Sequence, residues 1–263
     1  MNFNELTAKQ QEQVAKGFDA TPELIPFIPY LLQDLWELGS SPKVIVDIIK
    51  SIEPLQPRRV LDLACGKGAV SCRIAKELGY PTLGIDLFKP FIIEANLRAK
   101  EFGVADLCKF EVGDINTEVQ TKNNFDVVVL AAAESLLGNI DTAIKLLRQC
   151  VKSNGYIIYD GVFLKEGSVI SRPEYAIIRS YEETIRLLTS HSDKIILEVR
   201  IPVEEIKAIN DSYLVFIKNR TNELLSKFPE KKELLNGYVK RQEEECKIIE
   251  SEIVGCVWCI EKR

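Results

Sequence analysis

From residue 59 onward the chain alternates short apolar runs with segments in which apolar residues recur every three or four positions. The runs are RVLDLA, PTLGID, LCKFEV, FDVVVLA and YIIYDGVF, and helical spacing between them predicts helices over about 69–78, 90–101 and 141–151. Strands that are apolar on both faces and separated by amphipathic helices imply right-handed crossovers and a parallel sheet covered on both sides. The middle of the chain therefore reads as a doubly wound α/β domain.

The flanks follow other rhythms. Ser41 is placed as an N-cap with Pro42 at the first helical position, and Val44, Ile45, Ile48, Ile49 and Ile52 then recur at helical spacing. The first fifty residues read as helices, and within TPELIPFIPYLLQDLWELGSS the prolines Pro22, Pro26 and Pro29 delay any helix to about Pro29. The stretch from Pro54 to Pro57 reads as a linker, which divides a helical cap over 1–55 from a main domain over 56–263. Beyond Gly161 the expected elements are a helix over about 174–189, a strand KIILEVRI, two charged helices over 203–227 and 230–250, and a strand EIVGCVWCIEK. Tyr213, Phe216, Ile217 and Leu224 form an apolar stripe that must cover something, while RQEEECK reads as a solvated helix face.

Composition narrows the class. At 263 residues the chain can bury a core without disulfides, and its seven scattered cysteines fit a reducing compartment. No apolar run reaches the roughly 18 residues of a membrane helix and the start is not signal-like, so no membrane partner is expected and the cytoplasm is the default location. A net charge of −5 argues against a nucleic-acid backbone as partner. Cys256 and Cys259 form the single CxxC, but residues three apart on a strand point to opposite faces, so they read as core rather than as a metal site.

Candidate chemistry centres on VLDLACGKGAVS, Val60 to Ser71. A glycine turn between strand and helix lets the backbone approach a ligand closely and presents unpaired N–H groups. The phosphate-cradling spacing GxxxxGK[ST] is absent, and the dinucleotide pattern GxGxxG meets Ser71 at its third position. Asp62 places an acid beside the turn, which repels a pyrophosphate but suits a ligand carrying an ammonium and a sulfonium.

At this point the chain resembles the class I S-adenosylmethionine-dependent methyltransferases of the small-molecule type, whose signature VLDLGCGTG stands here as VLDLACGKG. Ala64 replaces the usual first glycine, and Lys67 a small polar residue; Lys67 is expected to point to solvent, the alternative being a contact to the methionine carboxylate of the cofactor. The resemblance extends over GIDLF, FEVGDIN, FDVVVLAAAES and LRQCVKSNGYIIYDG. It implies a Rossmann-like, mostly parallel seven-stranded sheet with an antiparallel last strand and a helical insertion between the last two strands. It also implies S-adenosylmethionine as cofactor, held by Asp62, Ala64, Cys65, Gly66 and Gly68 at the turn. Asp86 and Leu87 would lie at the ribose, Asp114 at the adenine amino group, Ile115 on the adenine ring, and Ala131 and Ala132 beneath the sulfonium.

Methyl transfer needs an acceptor at attack distance and little else, so a base is optional. Glu134, Tyr159 and Asp160 are the candidates at the carboxyl ends of the strands, and His191, the single histidine, is expected in an exposed turn. A small-molecule acceptor is favoured because no NPPY-like segment follows the fourth strand. A binding-only module and an NAD(P)-dependent oxidoreductase are the alternatives, and the protein is expected to be a monomer or homodimer. The amino-terminal helices, with Tyr30 and Trp36, and the helices over 203–250 are expected to form a lid on the acceptor side, clear of the adenine pocket.

Overall fold

The computed structural model describes residues 6–52 and 58–263, so the expected linker at Pro54 to Pro57 lies outside the described residues. Seven strands, β1 (Val60–Leu63), β2 (Thr82–Asp86), β3 (Cys108–Val112), β4 (Phe125–Ala131), β5 (Val151–Leu164), β6 (Lys194–Arg200) and β7 (Ile253–Glu261), form one sheet in the order β3-β2-β1-β4-β5-β7-β6. The first five run parallel, and β7 is antiparallel to both β5 and β6. This is the mixed sheet that the resemblance implied. Strand order reverses beside β1, where β1 lies between β2 and β4, and in open α/β sheets ligands bind at the carboxyl ends of strands at such a point.

Among the described residues ten α-helices connect and flank these strands: α1 (Ala8–Gly17), α2 (Ile28–Leu31), α3 (Pro42–Ser51), α4 (Ala69–Leu78), α5 (Lys89–Glu101), α6 (Ile115–Glu118), α7 (Ile140–Cys150), α8 (Tyr181–Leu188), α9 (Val203–Lys227) and α10 (Lys232–Ser251). On one face of the sheet Leu61, Val128, Leu130, Ile157 and Trp258 pack with Ala143, Ile144 and Leu147 of α7. On the other Val60, Val127, Val129 and Ile158 pack with Ile45, Ile48 and Ile49 of α3 and with Val70 and Ile74 of α4. Cys256 belongs to the first layer and Cys259 to the second, as the alternation of a strand requires. A third apolar cluster joins Val14, Leu24, Ile28, Leu31 and Leu35 from the amino-terminal segment to Ile217 and Leu224 of α9, Leu235 and Tyr238 of α10, and Phe88 and Phe91 at the start of α5. The stripe on α9 is thus covered by the cap, except for Phe216, which stays exposed.

Several local expectations change. In the stretch that follows Thr21, helical structure begins before Pro29, as a 3-10 turn over Pro22–Phe27, since proline fits the first turn of a helix where its missing N–H is not needed. Ser41 makes no side-chain cap on α3; its N–H donates instead to Asp160 Oδ2 at 3.1 Å. The helix expected over 174–189 is reduced to a 3-10 turn at Pro173–Tyr175 and to α8, which starts where the Ser180 hydroxyl accepts from the Glu183 N–H. RQEEECK is a solvated face only in part: Glu243, Glu244 and Lys247 reach solvent, whereas Arg241 and Glu245 are engaged. Tyr175 donates to Glu245 Oε1 at 2.6 Å, Arg241 donates to the Asp19 carbonyl at 2.9 Å, and Arg172 holds the Asp19 carboxylate in a two-pronged bond at 2.8 and 2.9 Å.

Candidate active site

β1 ends at Leu63, and the chain then takes left-handed conformations at Ala64 (φ +57°), Gly66 (φ +53°) and Gly68 (φ +76°) before α4 begins. Gly68 is doubly constrained, because a Cβ there would lie 2.7 Å from the Phe110 ring. Ala64 carries the side-chain penalty of a left-handed residue, on the order of 1 kcal/mol. These backbone conformations turn the chain sharply between strand and helix, and they bring two acids to its sides.

Asp62, buried on β1, accepts the Ser71 hydroxyl at Oδ2 (2.6 Å), so the serine at the third fingerprint position serves the acid. Burial, reinforced by the nearby Asp86 charge, pushes the Asp62 carboxyl up to about 7, against the opposing Ser71 bonds. Asp86, at the end of β2, accepts the Gly66 N–H at Oδ2 (2.9 Å) and the Phe88 N–H at Oδ1 (2.8 Å). Its carboxyl is also raised by burial, with those two backbone bonds pulling the other way. Each carboxylate oxygen has two lone pairs, so Asp86 keeps acceptor capacity toward a ligand while it fixes the turn.

Lys67 does not point to solvent. Its side chain is buried, with Nζ 2.6 Å from the Leu32 carbonyl and 2.9 Å from Glu94 Oε2, over the Phe91 ring. An ammonium without partners would be costly in such a place, and α5 and the cap supply both acceptors. The Cys65 thiol is raised well above its ordinary value by burial beside Asp62 and Asp86, which disfavours the thiolate.

Trp36, Leu38 and Ser40 close over the turn, and with Asp62, Gly66 and Ala131 they line a cavity of about 30 Å³. A site of that size holds roughly one water, so a nucleoside-sized ligand requires the segment over 36–40 to move outward. Asp114 caps α6, its Oδ1 accepting the Asn116 N–H at 2.9 Å, and Ile115 is buried behind it. Gln13 of α1 donates to the same Asp114 oxygen at 3.5 Å, so the cap does not stay clear of the expected adenine side. Leu87 packs against the cap cluster. Ala132, just past β4, is left-handed (φ +50°) and donates its N–H to the Asp160 carbonyl at 3.2 Å.

The donor set fits the implied cofactor better than a dinucleotide. Two carboxylates, buried Asp62 and half-buried Asp86, flank the turn, and its lysine is engaged elsewhere. A family model described as a methyltransferase domain matches residues 56–169, which include every turn residue above. Residues 56–169 carry a methyltransferase domain.

Relatives of the methyltransferase domain agree in fold. An uncharacterized protein of Escherichia coli, YjhP, is 32% identical over 100 residues, covering 38% of this chain and 40% of that protein. The ubiquinone biosynthesis O-methyltransferase of Paracidovorax citrulli is 27% identical over 134 residues, covering 48% of this chain and 56% of the enzyme. The matches thus span about half the length of these relatives. A solved S-adenosylmethionine-dependent methyltransferase from Geobacter sulfurreducens, in complex with S-adenosylhomocysteine, superposes with a TM-score of 0.76 over 90% of this chain and 98% of that one, at 19% identity.

On the acceptor side of the methyltransferase domain the sequence candidates separate. Asp160 is buried and engaged with the Ser41 N–H, so it ties β5 to the segment that closes the cavity without lining it. Tyr159 lies in the core with its ring 6.3 Å from that of Trp258. Glu134 opens the 3-10 turn Glu134–Leu137; its side chain lies outside the described part of the structure. His191 is half-buried rather than exposed, 3.5 Å from Asp141 across the molecule's α7 side. Trp36 reaches the cavity, whereas Tyr30 donates to Glu223 of α9. Leu38, Ser40 and Gln13 were not legible as site residues, because only the packing of the cap on the turn brings them there.

Proposed function

We propose that the chain is an S-adenosylmethionine-dependent methyltransferase acting on a small-molecule acceptor. The observation that carries this reading is the left-handed turn flanked by buried Asp62 and half-buried Asp86 inside the segment that matches the methyltransferase-domain family. Bound there, the cofactor supplies a methyl group activated by a sulfonium. Asp86 accepts the ribose hydroxyls, Asp62 provides negative charge near the ammonium end, Asp114 and Ile115 face the adenine, and Ala131 and Ala132 leave room beneath the methyl group. The cap and the enclosed cavity exclude water, so that positioning and desolvation do most of the chemistry, by in-line displacement.

A small acceptor is supported by the acidic net charge of −5, which offers no basic excess to a nucleic-acid backbone. The cytoplasm suits a chain whose seven cysteines are all free. Among the described residues no helix is long and apolar enough to cross a membrane. The test is transfer of a labelled methyl group from S-adenosylmethionine into a small-molecule extract. Transfer that is lost in Gly66→Val supports an enzyme, and tight cofactor binding with no transfer into any fraction supports a binding module.

A further inference from the structure

The residue in the turn that departs furthest from the resembled signature is also the one most tightly engaged. The Lys67 ammonium reaches across to the Leu32 carbonyl at 2.6 Å and to Glu94 of α5 at 2.9 Å. Its own carbonyl accepts the Trp36 indole N–H at 3.0 Å. Backbone and side chain of one turn residue therefore grip both ends of the segment Leu32 to Trp36. That segment is seated further by Phe102, whose ring centroid is 4.5 Å from that of Trp36, and by the Arg73–Glu37 ion pair at 2.8 Å. It runs directly into Leu38 and Ser40, which close the cavity over the turn.

We propose that Lys67 is a positioning residue that ties the cap to the cofactor turn, so that seating of the segment over 32–40 and retention of cofactor are set together. A small polar residue at this position could not span from the turn to Leu32, and the cap would then rest on apolar packing and the remaining contacts. The tether itself stands on geometry alone; its consequence for cofactor rests on the methyltransferase reading. Glu94 lies beside the buried ammonium, and its position on α5, next to Arg98 at 3.4 Å, fixes the direction from which the lysine is held.

The experiment compares the full-length protein with Lys67→Met, which keeps the buried chain and removes the charge, by hydrogen–deuterium exchange and by S-adenosylhomocysteine titration. The tether predicts exchange at least tenfold faster in peptides covering 32–38, unchanged exchange in β4 and α7, and affinity at least tenfold weaker. A folded variant whose 32–38 peptides exchange within twofold of the parent overturns the proposal. A variant that fails to fold by circular dichroism passes the decision to Glu94→Gln, altered at a partly exposed helix position. There the same peptides are expected to exchange at least threefold faster, and unchanged exchange overturns the tether. A parent protein that binds no S-adenosylhomocysteine contradicts the cofactor reading alone, since the exchange arm still decides the role of Lys67.

Discussion

Asp62 and Asp86 are the same residue type at equivalent strand ends, yet their surroundings give them different work. Asp86 is held by two backbone N–H groups and anchors the turn, whereas Asp62 is buried with Ser71 as its donor and its carboxyl rises to about 7. A group raised in the folded state contributes stability that is complete below its ordinary value of 3.8 and is lost as pH climbs through about 7. Asp62→Asn should therefore raise the thermal midpoint at pH 8 and change it little at pH 4, as scanning calorimetry at both pH values would show. A cationic ligand favours the ionised acid, so the affinity of the parent for S-adenosylmethionine should rise about tenfold from pH 6 to pH 8, a dependence that Asp62→Asn should flatten. Both acids were legible in the sequence because a strand end followed by a glycine turn fixes where they stand. The burial of Lys67 was not, since a lysine between glycines reads as solvated. Its partners lie 35 residues before it and 27 after it, on elements whose packing no local pattern reports.

At the scale of elements, α4 was bounded correctly over Ala69–Leu78 because both of its ends are glycines in left-handed conformation, Gly68 (φ +76°) and Gly79 (φ +70°). The two ends differ in what surrounds them. A Cβ at Gly68 meets Phe110 at 2.7 Å, while at Gly79 it meets nothing within 4 Å. Gly79→Ala should cost about 1 kcal/mol from backbone strain alone, and Gly68→Ala at least about 1 kcal/mol more through the clash, both measurable by urea denaturation. The segment between β5 and α8 was misjudged for a related reason. Its helical spacing is real, but Arg172 and Tyr175 are drawn into bonds with Asp19 and Glu245, and these tie the stretch to α1 and α10 instead of letting it wind. Tyr175→Phe leaves buried Glu245 without its phenol donor and should cost about 1–3 kcal/mol of stability in the same assay.

For the whole molecule, the cap and the insertion between β6 and β7 share one apolar cluster over Phe88 and Phe91, immediately after Asp86. Leu235→Ala, which opens a fully buried site in that cluster, should cost about 2–5 kcal/mol and loosen the cap as well as α10. This arrangement makes the floor of the site, the parallel sheet with its turn, a rigid platform, and makes its cover a unit assembled from opposite ends of the chain. The central claim is that the turn between Asp62 and Asp86 binds an adenosyl cofactor. Calorimetric titration of S-adenosylhomocysteine, with NAD in parallel, into the parent and Asp86→Ala tests it most directly. The account predicts one-to-one binding of S-adenosylhomocysteine, weakened by about 1–3 kcal/mol in the folded variant as the ribose loses a charged acceptor, and no binding of NAD. Tight NAD binding, or an S-adenosylhomocysteine affinity unchanged by Asp86→Ala, would contradict it.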